Sequence, residues 1–460
     1  MKLTLLGAGA RTPLLLNGLI RRAAALPLEE VVLHDTDHER LAVMGRLGAH
    51  FCRQRGARFE VQTETEAPEA LRGADFVFTA LRVGQEPGRV VDEKVPLGYD
   101  LVGQETTGAG GFAMALRTIP VMLDYARLVE SVAPDAWIVN FTNPAGLITQ
   151  ALRDNTRARV VGICDTPTAM KRTLALFLGV PHEAVELDYF GLNHLGWARR
   201  VMVEGHDRMP ELLDRYEELR AADGEWRLFD ADLVRGLGLL PNEYLYYFYY
   251  REQAVARIRA ARRTRGQELA AANGGLWPGL RASLDEGDFA GALALYERTM
   301  AGRHAGYMAA ERGAAEAGGA PEGGPEEPVG ALFEQEGYEA MALAVMVSVV
   351  AGSGDPLIVN VPNRGALAGR TNDDVVEVPS VVRDGDLVPL AAGPPPADAA
   401  ALIGAVKTYE RLAAEAAVTG SFSTAVRALT IHPLVASYTL ATSVVRDYLG
   451  ALAPYLPQFE

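Results

Sequence analysis

The chain has 460 residues, 49% hydrophobic and 22% charged, a length and balance that predict two or three globular domains. A net charge of −15 leaves no basic excess to offset nucleic-acid phosphates or an anionic membrane surface, although it is compatible with a local basic pocket for one small phosphorylated ligand. Two cysteines cannot build a disulfide framework, which predicts a cytoplasmic protein, and no run approaches the roughly 18 uncharged apolar residues of a membrane span.

In chain order, Leu3 to Leu6 reads as a buried strand. The run is far shorter than a signal-peptide core and enters a glycine turn, Gly7-Ala8-Gly9-Ala10. An apolar stretch of helical length follows from Pro13 to Ala25, then a second strand from Val31 to His34 that ends at Asp35. Further strands are predicted at Asp75–Ala80, Ala136–Asn140 and Val160–Ile163, with helical patterns between them at 117–131 and 143–153. Strands alternating with helices predict a parallel sheet with right-handed crossovers. Near residue 190 the texture changes. Residues 190–203 suggest a strand or hairpin entry, 207–301 are mostly helical, and 309–330 are low-complexity and expected to be mobile. A helix at 338–351, a strand from Leu357 to Val361 and two closing helices, about 396–418 and 420–450, complete the chain.

The order strand, glycine turn, helix, strand, acid is the first half of a Rossmann unit. The usual G-x-G-x-x-G reads here Gly7-Ala8-Gly9-Ala10-Arg11-Thr12, with Thr12 in place of the third glycine. Gly7 permits the tight turn, and Gly9 lets backbone N–H groups approach a pyrophosphate at the helix N-terminus. Pro13 suits the first helical turn, where its missing N–H costs nothing. Asp35 is placed to accept from ribose hydroxyls and to disfavour a 2′-phosphate, which points to NAD. The bland alternative is a structural glycine turn in another doubly wound domain.

Gly162-Ile163-Cys164-Asp165-Thr166-Pro167 and Gly191-Leu192-Asn193-His194-Leu195-Gly196 hold one of two cysteines and one of eight histidines in polar, glycine-marked turns. A lone cysteine is often only a small buried hydrophobe. The pairing with His194 suggests a thiolate and an imidazole on a borderline divalent ion, zinc by ligand softness alone, with substrate oxygens filling the open positions. Residues 98–111 carry five glycines and no helical or strand period, as expected of a loop that approaches a ligand or of a flexible surface lid. Asn143, in Asn140-Phe141-Thr142-Asn143-Pro144-Ala145-Gly146, has a donor and an acceptor for a sugar hydroxyl. Leu240 to Tyr250 concentrates five of sixteen tyrosines. Most such rings pack a core or an interface. One serving as a base needs a nearby cation, since an unperturbed phenol has a pKa of about 10.

Taken together, these strings resemble glycoside hydrolase family 4, the NAD- and divalent-metal-dependent glycosidases. The similar stretches are 103–111, 140–146, 162–167, 191–194, 240–245, 359–365 and Leu429-Thr430-Ile431-His432-Pro433-Leu434, in the family's order along nearly the whole chain. The resemblance implies oxidation at C3 of the sugar by bound NAD, removal of the C2 proton, elimination at C1, addition of water and return of the hydride. It implies a metal ion, typically Mn2+, held by Cys164 and His194, with Tyr244 as the C2 base and Asn143 as a sugar contact. In the family the residue after the cysteine tracks substrate type, Asn in 6-phospho-β-glucosidases, Asp followed by Met-Pro in 6-phospho-α-glucosidases and His in enzymes for unphosphorylated α-galactosides or glucuronides, and Asp165-Thr166-Pro167 fits none cleanly. The surrounding strings look more like the 6-phospho-β-glucosidases, with Asp165 near the leaving-group oxygen, and 6-phospho-α-glucosides or unphosphorylated glycosides are the alternatives. Arg82 and Arg89 are candidate phosphate contacts, because a guanidinium fork matches phosphate oxygens, and Arg364 is a weaker one. The family tends to form homodimers or homotetramers, for which the tyrosine-rich helix is a candidate interface.

The predicted fold class is α/β: an N-terminal Rossmann-type parallel sheet plus a C-terminal mixed α/β, mostly helical domain, a lactate/malate dehydrogenase-like architecture. The expected division is an NAD-binding domain over 1–190 and a metal- and substrate-binding catalytic domain over 191–460. A 2-hydroxyacid dehydrogenase would share the first half but has no use for the Cys164 string. A non-catalytic NAD-binding scaffold would have no need of Cys164, His194 and Tyr244.

Overall fold

A computed structural model describes residues 1–222, 224–313, 331–334, 339–352 and 354–459. Of the expected mobile stretch 309–330, residues 314–330 lie outside the described residues.

The apolar runs of the N-terminal half form parallel strands: β1 (Lys2–Leu6), β2 (Glu30–His34), β3 (Glu60–Glu64), β4 (Phe76–Thr79), β5 (Trp137–Asn140) and β6 (Arg159–Gly162). Their order is β3-β2-β1-β4-β5-β6, the Rossmann arrangement, and the direction of strand succession reverses between β1 and β4. Phe76 to Thr79 and Trp137 to Asn140 are buried throughout, as strands with both faces covered must be. β3 was absent from the sequence reading. Glu60-Val61-Gln62-Thr63-Glu64 lies at the sheet edge with no buried residue, so it carries no apolar run to betray it.

A second, antiparallel sheet holds β7 (Val185–Leu192), β8 (Leu195–Val203), β9 (His206–Asp207) and β10 (Leu240–Pro241). Leu192 pairs with Leu195, so Asn193 and His194 form a two-residue turn. Late strands β11 (Leu357–Pro362), β12 (Val375–Arg383) and β13 (Asp386–Pro389) run antiparallel and extend the first sheet beyond β6, where Asn360 opposes Gly162. One nine-stranded sheet therefore crosses the expected division at residue 190.

The region 207–301 is mainly helical, as expected, but in several pieces, and 108–111 starts a helix instead of continuing a loop. That helix, Gly108–Val132, is buried along most of its length beneath the alanine-rich helix Ala397–Thr419. The second expected closing helix is two helices, Phe422–Ile431 and Tyr438–Ala451. Pro433 disfavours helical geometry in the residue before it and ends the first. Arg117 and Asp92, both fully buried, pair through two contacts of 2.7 and 2.6 Å, and Tyr448 donates to the Asp92 carbonyl at 2.9 Å. This knot joins the helices Gln85–Leu97, Gly108–Val132 and Tyr438–Ala451. No helix among the described residues is long and apolar enough to cross a membrane.

Candidate active site

The carboxyl ends of β1, β4, β5 and β6 open on one sheet edge, the usual place for a ligand in such a sheet. At the end of β1, Gly7 has φ +96°, and a Cβ there would stand 2.6 Å from the Ala80 carbonyl oxygen. Only glycine meets both demands. A Cβ on Gly9 would meet nothing within 4 Å, so the second glycine faces open space. Ala10 is buried, Arg11 lies over the Phe141 ring at 5.4 Å, and Thr12 opens the helix Thr12–Arg21 with its buried hydroxyl unpartnered among the described residues. Asp35 follows β2, where its carboxylate accepts from the Asp37 N–H at 2.9 Å and burial raises its pKa. Open backbone, an unpartnered hydroxyl and a helix N-terminus make a cradle that fits a pyrophosphate.

Cys164 lies two residues beyond β6, buried, just before the helix Thr166–Leu178. Burial, then the Glu377 and Asp165 carboxylates, push its thiol well above the usual range, so a cation is required to draw out the thiolate. Glu377, on β12, accepts from Asn360 at 3.0 Å, Tyr189 at 3.2 Å and Asn193 at 3.3 Å. Asn193 also accepts from the Gly146 N–H at 3.3 Å, which draws the 140–146 string onto the turn that carries His194.

His194 is buried with φ +61°, a strained conformation for a residue with a Cβ and one that marks functional turns. Burial lowers its pKa to about 3, so the imidazole is neutral, the form that ligates metals. Its Nδ1 lies 3.1 Å from the Thr106 hydroxyl, which itself donates to Gln104 Oε1 at 3.0 Å. With that hydrogen committed, the hydroxyl accepts from Nδ1–H and leaves the Nε2 lone pair for a ligand. Gln104 Oε1 also accepts the Thr106 and Thr107 N–H groups at 2.6 and 2.8 Å, so the glycine-rich loop is wound on this one amide. Among the described residues no three His, Cys, Asp or Glu side chains gather closely enough to hold a metal ion. A neutral imidazole and a latent thiolate thus fit an ion that draws its other donors from elsewhere.

Tyr244 sits on the one-turn helix Glu243–Leu245, its ring flat on that of His194: centroids 3.6 Å apart, planes within 7°. Burial, then the neighbouring Glu243 and Cys164, hold its phenol well above the usual range, so a neighbouring cation is needed to make it a base. Tyr307 donates to the Tyr244 oxygen at 3.0 Å and lies 3.4 Å from Glu243 Oε1, which accepts from the Thr166 hydroxyl at 2.7 Å. Burial raises the Glu243 carboxyl. Three of the five clustered tyrosines, Tyr244, Tyr246 and Tyr247, are buried within the chain. These three rings are core, whereas Phe248, Tyr249 and Tyr250 are partly exposed.

Arg82 and Arg89 converge on Glu105, at 2.6 and 2.7 Å, and Arg89 also holds Glu93 at 2.9 Å. Desolvation opposes the charge of the half-buried Glu105, but the two guanidiniums outweigh it and hold the carboxyl at a pKa of about 2. Arg303 is pushed down to about 10 by burial and then by the charges of Arg11, Arg89, Arg265 and Arg82. It makes no ion pair among the described residues; Asn273 accepts from it at 3.3 Å. Asn143 is partly exposed on the turn after β5. Arg364 is exposed and turned to Asp386 at 2.8 Å.

The structure thus stacks Tyr244 on His194, ties the Tyr244 hydroxyl through Tyr307 and Glu243 to Thr166, two residues beyond Cys164, and gathers Arg82 and Arg89 around Glu105. Sequence reasoning missed Thr106, Glu377, Tyr307 and Arg303. Glu377 left a signal, a carboxylate inside Val375-Val376-Glu377-Val378, and Tyr307 left none.

Residues 2–180 match the description of the family 4 glycosyl hydrolases, and residues 189–435 that of the family 4 glycosyl hydrolase C-terminal domain. A Bacillus subtilis (strain 168) protein named "Probable 6-phospho-beta-glucosidase" is 32% identical over 473 residues, covering 100% of this chain and 98% of its own. The 6-phospho-β-glucosidase of Escherichia coli (strain K12) is 31% identical, covering 100% and 97%. A 6-phospho-β-glucosidase of Thermotoga maritima, solved with manganese, NAD+ and glucose-6-phosphate, superposes with a TM-score of 0.80 at 27% identity over 99% of each chain.

Proposed function

The chain belongs to family 4 of the glycosyl hydrolases, and from that premise we propose that it hydrolyses 6-phospho-β-glucosides with NAD and a divalent metal ion, Mn2+ above others. The observation that carries this is the stacking of Tyr244 on His194 at 3.6 Å, with Tyr307 and Glu243 linking the same phenol to Thr166, two residues beyond Cys164. A candidate base and both candidate metal ligands therefore share one neighbourhood at the edge that holds the nucleotide cradle.

When bound, NAD supplies reversible oxidation at the sugar C3, and the metal ion supplies a positive charge that polarises the oxygens beside C2. Gly7, Gly9, Ala10, Arg11 and Thr12 hold the pyrophosphate and Asp35 the ribose hydroxyls. Cys164 and His194 hold the ion. Tyr244 takes the C2 proton, which a C3 ketone makes acidic. Asp165, at the start of the helix Thr166–Leu178, stands beside the leaving-group oxygen. Asn143 binds a ring hydroxyl. Arg82 and Arg89, with Arg11 and Arg303 beside them, set the positive field that favours a 6-phosphate. The β preference follows the E. coli and T. maritima relatives. We place the enzyme in the cytoplasm, as a homodimer or homotetramer countable by sedimentation.

Incubation with 4-nitrophenyl 6-phospho-β-glucoside tests this. Nitrophenol should appear only with both NAD and Mn2+, and absorbance at 340 nm should show no net NADH. Net NADH accumulation would instead mark a dehydrogenase, and equal turnover of the α-anomer or of the unphosphorylated glucoside would overturn the substrate assignment.

A further inference from the structure

We propose that Tyr307 is a positioning residue that fixes the reactive oxygen of Tyr244. This rests on the reading of Tyr244 as the C2 base. The two restraints on that phenol are of different kinds. The His194 ring fixes the plane of Tyr244, but a stacked ring can still slide and turn within its plane. The oxygen is held by Tyr307, whose hydroxyl donates to it at 3.0 Å. Among the described residues Tyr307 is the sole hydrogen-bond partner of the Tyr244 hydroxyl. The Tyr307 donor therefore sets where the Tyr244 oxygen sits within the plane that His194 defines.

Tyr307 is itself located from the cysteine side of the site. Its hydroxyl lies 3.4 Å from Glu243 Oε1, and that oxygen is fixed at 2.7 Å by Thr166, two residues beyond Cys164. The segment that carries Tyr307 has separate anchors. Tyr247 donates to Glu311 at 2.7 Å, and Arg257 donates to the Glu311 carbonyl at 2.5 Å. Removing the Tyr307 hydroxyl thus takes away the donor to Tyr244 and leaves the segment tied down.

The test is Tyr307→Phe in the holoenzyme, with Tyr244→Phe and Tyr247→Phe beside it. Tyr307→Phe should lower kcat about 3- to 10-fold, the range for a lost hydrogen bond, with KM within about twofold. The isotope effect with C2-deuterated substrate should rise, because proton abstraction alone has slowed. NAD and Mn2+ dissociation constants, measured without substrate, should not move. An unchanged kcat or an unchanged C2 isotope effect overturns the proposal, and so does an equal loss in Tyr247→Phe, which would assign the effect to anchoring of the segment. If Tyr307→Phe does not fold, 3-fluorotyrosine at position 307 keeps the shape and acidifies the donor. The C2 isotope effect must then shift, and constancy overturns the proposal. The underlying reading fails separately, if Tyr244→Phe still exchanges the C2 proton with solvent. Should Tyr244→Phe abolish exchange while Tyr307→Phe leaves it untouched, the role of Tyr307 alone is lost.

Discussion

At the Gly7–Thr12 turn the fold presents backbone and open space, whereas around Tyr244 it presents side chains gathered from four separate segments, at 164, 194, 244 and 307. The first end depends on what is missing: no Cβ at Gly7, nothing in front of Gly9. The second depends on what is present and how each group is held, as in Gln104 to Thr106 to His194. A site built from backbone should resist side-chain exchange and fail on an added methyl. A site built from side chains should fail on a changed atom and keep its fold.

Three substitutions sharpen or break this contrast. The largest effect is expected from Cys164→Ser. Activity and Mn2+ affinity should fall together by about 1,000-fold, about 4 kcal/mol, while the melting temperature stays near that of the parent. Titration of Mn2+ into the substrate-free protein checks it, and retained affinity would remove Cys164 from the ion. Gly7→Ala comes next. Positive φ and the Ala80 carbonyl 2.6 Å away should together cost about 2 kcal/mol, read as a lowered melting temperature and at least about tenfold weaker NAD binding by fluorescence. A stable variant with normal NAD affinity would show that the turn is not the cofactor cradle. The smallest is Thr106→Val, which keeps the shape but releases the His194 tautomer. Mn2+ affinity should weaken by about tenfold with NAD binding unchanged, and an equal loss of both would dissolve the distinction between the two ends.

The same contrast governs what could be read from the sequence. Gly7, Gly9 and Asp35 are legible because a nucleotide turn is local: strand, glycines, helix and acid follow one another within about 35 residues. Cys164 and His194 are legible because polar, glycine-marked turns stand out at strand ends. The ties that make them a site are not, since Thr106 to His194 spans 88 residues and Asn193 to Glu377 spans 184. The glycines of 103–111 suggested a loose loop. A Cβ on Gly110 would lie 2.1 Å from the Gln104 carbonyl oxygen and one on Gly111 2.4 Å from that of Thr106, so they serve close contact between a loop and a helix start. Composition does not distinguish slack from tight packing. Of the parallel strands, only the exposed edge Glu60–Glu64 escaped, and β11 was expected as a strand but not as a neighbour of β6.

That neighbour has a consequence for the modularity of the chain. Asn360 opposes Gly162, and a Cβ on Gly162 would come within 2.8 Å of the Asn360 Cβ, so the late strand is seated closely on β6. A fragment cut near residue 190 would retain the nucleotide turn but expose the flank of Val160 and Val161, ready to recruit another chain. The nucleotide half is therefore not a transplantable cassette. Its outermost parallel strand is sealed by chain made almost two hundred residues later, and a fusion or truncation that ignores this would trade a cofactor-binding unit for an adhesive one.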